Sequence, residues 1–537
     1  MPDKIRCALP ASLAIGFWLV FSFPARAGTC EELRNLRLGD TDIKSAESVA
    51  AGSFTGPGDM KVQDLPGFCR VVASVKSDPD SDIGVEVWLP VGRWSGIFHG
   101  NGSGGFGGTL SAGYAGMEEG LRRGYATAVT DTGTAPATSL DGDALIGHPR
   151  KWKDWGLYAT HVMTVTGKAI AKAFYGQDVR RAYYTGCSTG GQQGLIEAQY
   201  YPDDYDGVLV GAPVINRTWG HALVLWDWLS ANTRPGAKLS DAKLALLNKA
   251  AISSCAAKGN GLSGDPFIAD ALTCRFDPAK LTCRGNKADN CLTPAEVKTA
   301  RDFYSGPTDA SGQALYYGLL PGSETSGRSG WAFLESPPNN EPAFGGLFKW
   351  VFGPSWDWTE FDFGRDMPRV DAMLGPSVNG VTSGDLSRFR ARKGKLVIYQ
   401  GLADTLVAPR QTVDFYKAQE RKFGTHTPDF ARLFVVPGMM HCGGGPGPNV
   451  FNAANGAQRK PPQNTAQLDM FSAMVHWVED GVAPSRIIAT KYFDDMPDKG
   501  IALQRPLCAW PQKAWYAGGD RRQARSFTCA LHAAKRP

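Results

Sequence analysis

The chain has 537 residues, enough for one large domain with an insertion or for more than one domain. Its net charge of +5 is spread thinly and forms no basic run, which argues against nucleic acid as a partner. Past the N-terminus no stretch stays apolar long enough to cross a bilayer, so no membrane partner is expected for the processed chain.

In chain order, residues 1–27 read as a secretory signal peptide. Lys4 and Arg6 form the basic start, Ala8 to Phe23 the apolar core, and Ala25-Arg-Ala27 the small-residue cleavage site. Cys7 precedes the apolar core, which argues against a lipid-anchored cysteine. The expected location is therefore secreted or periplasmic. Of the 11 cysteines, Cys7 leaves with the signal, and the even remainder suits an oxidising compartment. Spacing suggests the local pairs Cys30 with Cys69, Cys255 with Cys274, Cys283 with Cys291, and Cys508 with Cys529. Cys187 and Cys442 remain, either bridged or as free buried thiols.

Residues 85–90, 96–100 and 125–130 read as strands, and 158–174 as a helix. Residues 182–185 read as a short strand and 192 onward as helix, with Gly186-Cys-Ser-Thr-Gly190 at the corner between them. Small residues at 186 and 190 let the chain turn sharply and leave the Ser188 hydroxyl standing above the sheet, as in a nucleophile elbow. No other G-x-S-x-G occurs in the sequence. Residues 207–213 read as the next buried strand. From about 215 to 385 the texture changes to tryptophan, proline, glycine, four cysteines and weak periodicity. Strands resume at 395–401 and 431–438, and 468–480 has helical spacing. An open parallel sheet interrupted by a long insertion explains this order: an α/β-hydrolase core in two parts, 28–214 and 386–537.

Such a sheet imposes the order serine, acid, histidine. Asp404, in Gly401-Leu-Ala-Asp404 just past a strand, is the candidate acid. Of the histidines that follow, His441 in Pro437-Gly-Met-Met-His-Cys442 leaves a predicted strand and is the candidate base. His426, His476 and His532 are placed less favourably. A hydrogen bond between Ser188 and His441 would hold their neighbours Cys187 and Cys442 close enough for a disulfide. The Thr189 N–H, next to the serine, is one candidate oxyanion donor. The glycine-rich loop 98–108 is the source of a second, and it lacks the Lys-Ser/Thr pair of a phosphate cradle.

With these residues in view, the chain resembles the tannase/feruloyl esterase family over nearly all of its mature length. The marks are Gly186-Cys-Ser-x-Gly-Gly191, Gly401-Leu-Ala-Asp404 and Pro437-Gly-Met-x-His-Cys442. The resemblance implies a Ser188–His441–Asp404 triad, an active-site disulfide between Cys187 and Cys442, a second oxyanion N–H at Gly105, and a lid over residues 215–385. It also marks two departures. The calcium loop of family lids matches Cys255-Ala-Ala-Lys-Gly-Asn-Gly-Leu-Ser-Gly-Asp265, which lacks most of the carboxylates, so weak calcium binding or none is expected. The branch acting on mono(2-hydroxyethyl) terephthalate grips its substrate with a lid arginine; Ala343 stands there, with Lys349 the nearby point charge. Trp331, Phe344 and Phe348 lead the lid aromatics as candidate substrate contacts. The expected function is serine hydrolysis of esters of aromatic acids, with a small-molecule ester as the partner and no cofactor required. The alternatives are a terephthalate-monoester or general esterase, and a catalytically silent binding module on the same scaffold.

Overall fold

The computed structural model describes residues 28–56, 61–285, 290–325, 327, 329–337 and 340–532; the predicted signal peptide lies outside them. Its strands are β1 (Thr41–Val49), β2 (Gly52–Thr55), β3 (Lys61–Leu65), β4 (Phe68–Val75), β5 (Ile83–Pro90), β6 (Ile97–Asn101), β7 (Ala126–Thr130) and β8 (Arg181–Cys187). They continue with β9 (Gly207–Gly211), β10 (Lys395–Gly401), β11 (Ala431–Val436), β12 (Arg486–Tyr492), β13 (Ile501–Cys508), β14 (Lys513–Tyr516) and β15 (Phe527–Ala530). Nine of these form one sheet in the order β1-β4-β5-β7-β6-β8-β9-β10-β11.

The expected open parallel sheet is present, and it continues into an antiparallel side. From β7 through β6, β8, β9 and β10 to β11 every pairing is parallel. At the other side β1, β4 and β5 run antiparallel, and β5 meets β7 antiparallel. Only a short turn joins β4 to β5, too short for the crossover that parallel neighbours need. The central strands are buried on both faces, which is why they read as unbroken apolar runs. The helix Ala159–Tyr175 packs on β5 and β7, and Met470–Asp480 on β9 and β10, covering opposite faces.

Between β9 and β10, residues 212–394 contain no strand longer than an isolated bridge among the described residues. They form helices, including Arg217–Asn232, Asp241–Ala256, Pro294–Ser305 and Phe363–Val378. One hydrophobic cluster joins Phe348, Trp350 and Met367 to Trp152 and Trp155 of the first core segment. A second gathers Leu244, Phe303 and Trp331. The four local cysteine pairs drawn from spacing are bridged, Cys30–Cys69, Cys255–Cys274, Cys283–Cys291 and Cys508–Cys529, and the remaining two, Cys187 and Cys442, are bridged to each other.

Candidate active site

Ser188 stands between β8 and the helix Thr189–Tyr200 with φ 64° and ψ −119°. A non-glycine residue there costs roughly 1–3 kcal/mol and persists only if its neighbours fix it. They do: the Ser188 N–H donates to Gly211 O at 3.0 Å, and its carbonyl accepts from the Gln192 N–H at 3.0 Å. Gly186 has no room for a side chain, since a Cβ there would lie 2.5 Å from Gly190 O.

Asp404 follows β10 and is fully buried. Its carboxylate accepts from the N–H groups of Leu406 at 2.9 Å and Val407 at 3.0 Å, and from Gln400 Nε2 at 3.0 Å. Gln400 is itself fixed by the Thr412 hydroxyl, which donates to it at 2.7 Å. The same carboxylate faces His441 Nδ1, at 3.0 and 3.1 Å from its two oxygens. With Nδ1 committed to Asp404, Nε2 is the nitrogen left to take a proton from the cavity. The loops carrying the two residues are stitched by Ala403 N–H donating to Met439 O at 2.9 Å and Leu402 N–H to Val436 O at 2.9 Å.

Ser188 and His441 line one cavity of about 350 Å³, together with Gly104, Gly105, Phe344 and Leu406. The Cys187–Cys442 bridge, with Cα atoms 5.9 Å apart, ties the residue before the serine to the residue after the histidine. The Cys442 carbonyl accepts from Asn455 Nδ2 at 2.8 Å, which anchors that side of the clasp.

The loop after β6 brings Gly105 to the cavity with φ 55°, where an added Cβ would lie 1.8 Å from Ser139 O. Its carbonyl accepts from Thr189 Oγ1 at 2.8 Å and from Trp155 Nε1 at 3.0 Å. No backbone carbonyl among the described residues takes the Gly105 N–H. Thr189 is the first residue of its helix, so its N–H has no preceding turn to bond to.

Of the lid aromatics, Phe344 lines the cavity, in a left-handed conformation with φ 60°. Trp331 and Phe348 do not. Trp331 is fully buried against Phe303 and Tyr304, its indole bonded to Ser323, and Phe348 is fully buried in the other helical cluster. Both fill the interior of the insertion. Lys349 is not a free point charge: it is bonded to Asp143 at 2.8 Å and Glu341 at 3.2 Å. His426 and His476 are surface residues beside Asp429 and Asp480.

The 255–274 loop does not fit a calcium shell. Asp265 is paired with Arg505, 3.2 Å away, and Asp270 with Lys513. Asn260 turns its amide nitrogen toward Asp270 O and Thr273 Oγ1. Two side-chain cations thus occupy the carboxylates that a metal would need. Elsewhere His161, Glu197 and Asp204 bring ligand-type atoms within 4.8 Å of one another. Burial first, and then the charge of Asp204, pushes the Glu197 pKa well above the usual carboxylate range.

Sequence reasoning missed Gln400, Trp155, Arg217 and Asn455, which hold the site without entering the chemistry. Gln400 had one visible signal, a polar residue in an otherwise apolar strand run.

Fold and cavity define a carboxylic ester hydrolase with an α/β core. More narrowly, the chain belongs to the tannase and feruloyl esterase family, whose model matches residues 69–341 and 356–530. It is 36% identical to an uncharacterized esterase of Xanthomonas campestris, over 98% of this chain and 95% of that protein. It is 30% identical to the mono(2-hydroxyethyl) terephthalate hydrolase of Piscinibacter sakaiensis, over 94% of this chain and 92% of the relative. The crystal structure of feruloyl esterase B from Aspergillus oryzae superposes with a TM-score of 0.83 at 27% identity, covering 93% of this chain and 99% of that one.

Proposed function

We propose that the protein is an exported serine esterase that cleaves esters of aromatic acids, of the feruloyl or galloyl kind, through an acyl-enzyme. The observation that carries this is the buried Asp404 bonded to His441 beside a cavity that also holds Ser188, with Cys187–Cys442 clasping the two sides. In this reading His441 Nε2 takes the Ser188 proton as the hydroxyl oxygen bonds to the ester carbonyl carbon. Asp404 orients the imidazole and stabilises its charged form. The N–H groups of Thr189 and Gly105 receive the oxyanion; losing one such donor typically costs roughly 3–4 kcal/mol of transition-state stabilisation. His441 then protonates the departing alcohol, and water, activated by the same base, releases the acid. The chain's own groups suffice for every step.

Phe344, Leu406 and Leu140 give the cavity an apolar wall suited to a planar acyl group. The neutralised Lys349 weighs against a carboxylate-bearing terephthalate monoester as the preferred substrate. The insertion over 215–385 serves as the lid that brings Phe344 to the site. Five disulfides and the predicted signal peptide support export to the periplasm or beyond.

The test is Ser188→Ala assayed on methyl ferulate, with fluorophosphonate labelling of the parent read by peptide mass. Turnover should fall at least about 10⁴-fold in a folded variant, and the label should sit on the Ser188 peptide. Undiminished turnover, or a label elsewhere, would remove Ser188 from the mechanism.

A further inference from the structure

Behind the Gly105 loop lies a guanidinium with no counter-charge among the described residues. Arg217, the first residue of the helix Arg217–Asn232, is 3% exposed. It donates through Nη1 to Thr189 Oγ1 at 3.1 Å and through Nη2 to Gln192 Oε1, and its Cζ lies 4.4 Å from the centroid of the Trp155 ring. Nε has no hydrogen-bond partner among the described residues. No carboxylate among them pairs with it either; Asp371, which meets the same turn, accepts instead from the Thr218 hydroxyl and the Trp219 indole. Buried charges are normally paired, because an unpaired one is costly to desolvate.

Two of the three residues that Arg217 touches, Thr189 and Trp155, are the two that hold the Gly105 carbonyl. A threonine hydroxyl has one proton. Since Arg217 donates to the Thr189 oxygen, that proton is directed to Gly105 O. Two further bonds fix the loop: the Gly107 N–H donates to Gly104 O at 3.0 Å, and the Phe106 N–H to Ser139 O at 3.3 Å. The first of these orients the peptide unit that carries the Gly105 N–H.

We infer that Arg217 is a positioning residue for the oxyanion hole, locking Thr189 to Gly105 and holding a standing positive charge behind them for the tetrahedral intermediate. The inference rests on the hydrolytic reading above. When Ser188 Oγ bonds the carbonyl carbon, its proton moves to His441 Nε2 and the carbonyl π pair moves onto oxygen. The new negative charge forms at the Thr189 and Gly105 N–H groups, in front of Arg217. Because the neutral ester carries no such charge, the attraction acts on the intermediate and on the transition state leading to it. Burial pushes the Arg217 pKa down to about 9, which leaves it protonated at neutral pH. Burial first, and then the charge of Arg217, pushes the nearby His221 down to about 3, so that this imidazole is neutral.

The experiment compares the mature protein with Arg217→Gln, Arg217→Lys and Thr189→Val. It measures kcat and KM on methyl ferulate, and the affinity for phenylboronic acid, which forms an anionic tetrahedral adduct on a serine. Arg217→Gln should lower kcat by about 10²-fold and weaken the boronic acid by a similar factor, with KM within about twofold. Arg217→Lys should recover part of the loss, while Thr189→Val should lose about tenfold in kcat. A folded Arg217→Gln with parental kcat and boronic-acid affinity, or with a loss confined to KM, overturns the inference. Where Arg217→Gln fails to fold, Thr189→Val decides, and a parental kcat there overturns it equally. A parent that neither hydrolyses the ester nor takes a fluorophosphonate at Ser188 would overturn the hydrolytic reading itself, and this inference with it.

Discussion

The rim of the sheet and the helical insertion hold their cavity residues in opposite ways. At the rim, the Asp404 carboxylate has two backbone donors, one amide donor and the imidazole around it, and each of those groups is anchored in turn. In the insertion, Phe344 reaches the cavity from a left-handed backbone position, its carbonyl accepting from His221 Nδ1 at 3.1 Å, and its side chain rests beside the His221 ring at 5.7 Å and the Phe106 ring at 6.3 Å. One region is over-determined by directional bonds; the other is set by apolar packing that tolerates repacking. In the proposed esterase, chemistry falls to the first and substrate choice to the second.

The comparison breaks most sharply at Asp404→Asn. This change keeps the shape but upsets the hydrogen bond that sets the imidazole, and kcat on methyl ferulate should fall by about 10⁴-fold with little change in melting temperature. A loss of tenfold or less would mean that the rim is not the rigid part of the site. Next come the two phenylalanines of the insertion. Phe348→Ala empties a fully buried position and should cost about 3–5 kcal/mol in denaturant unfolding while the folded fraction keeps its kcat/KM. Phe344→Ala should cost about 1 kcal/mol or less, yet shift the preference for feruloyl over acetyl esters by about tenfold. Equal effects from the two would erase the distinction between interior and wall. The smallest effect is expected from chelation. With Arg505 and Lys513 on the loop's carboxylates, excess EDTA should move the melting temperature by no more than about 1 °C, and a drop of several degrees would place a metal in the loop after all.

How much could be read from the residues alone follows the same division. Strands β9 and β10 are buried on both faces and end in glycine, so their apolar runs and the residues just past their ends were visible in the sequence. Strands β1 and β4 were not. β1 turns Lys44 and Glu47 outward and is half exposed, leaving no clean alternation. The insertion was visible only as a change of texture. Its aromatics meet partners hundreds of positions away, as Trp350 does on stacking with Trp152, and no local period encodes that contact. This is why Trp331 and Phe348 were expected at the substrate and found in the interior. Arg217 carried a faint signal: a cation at the first position of a helix opposes the helix dipole, and an unfavourable placement of that kind points to another use. That helix start was not legible from spacing, so the signal went unread.

The link between Cys187 and Cys442 sets a timetable for the whole molecule. The two sulfurs stand 255 positions apart, so the bond cannot close before the entire insertion has been synthesised and β10 and β11 have docked beside β9. Thiols in a reducing cytosol stay unpaired, which leaves a newborn chain without its clasp until it meets an oxidant. The bond works as a seal on assembly, open only to copies grown past Cys442 and folded across the insertion.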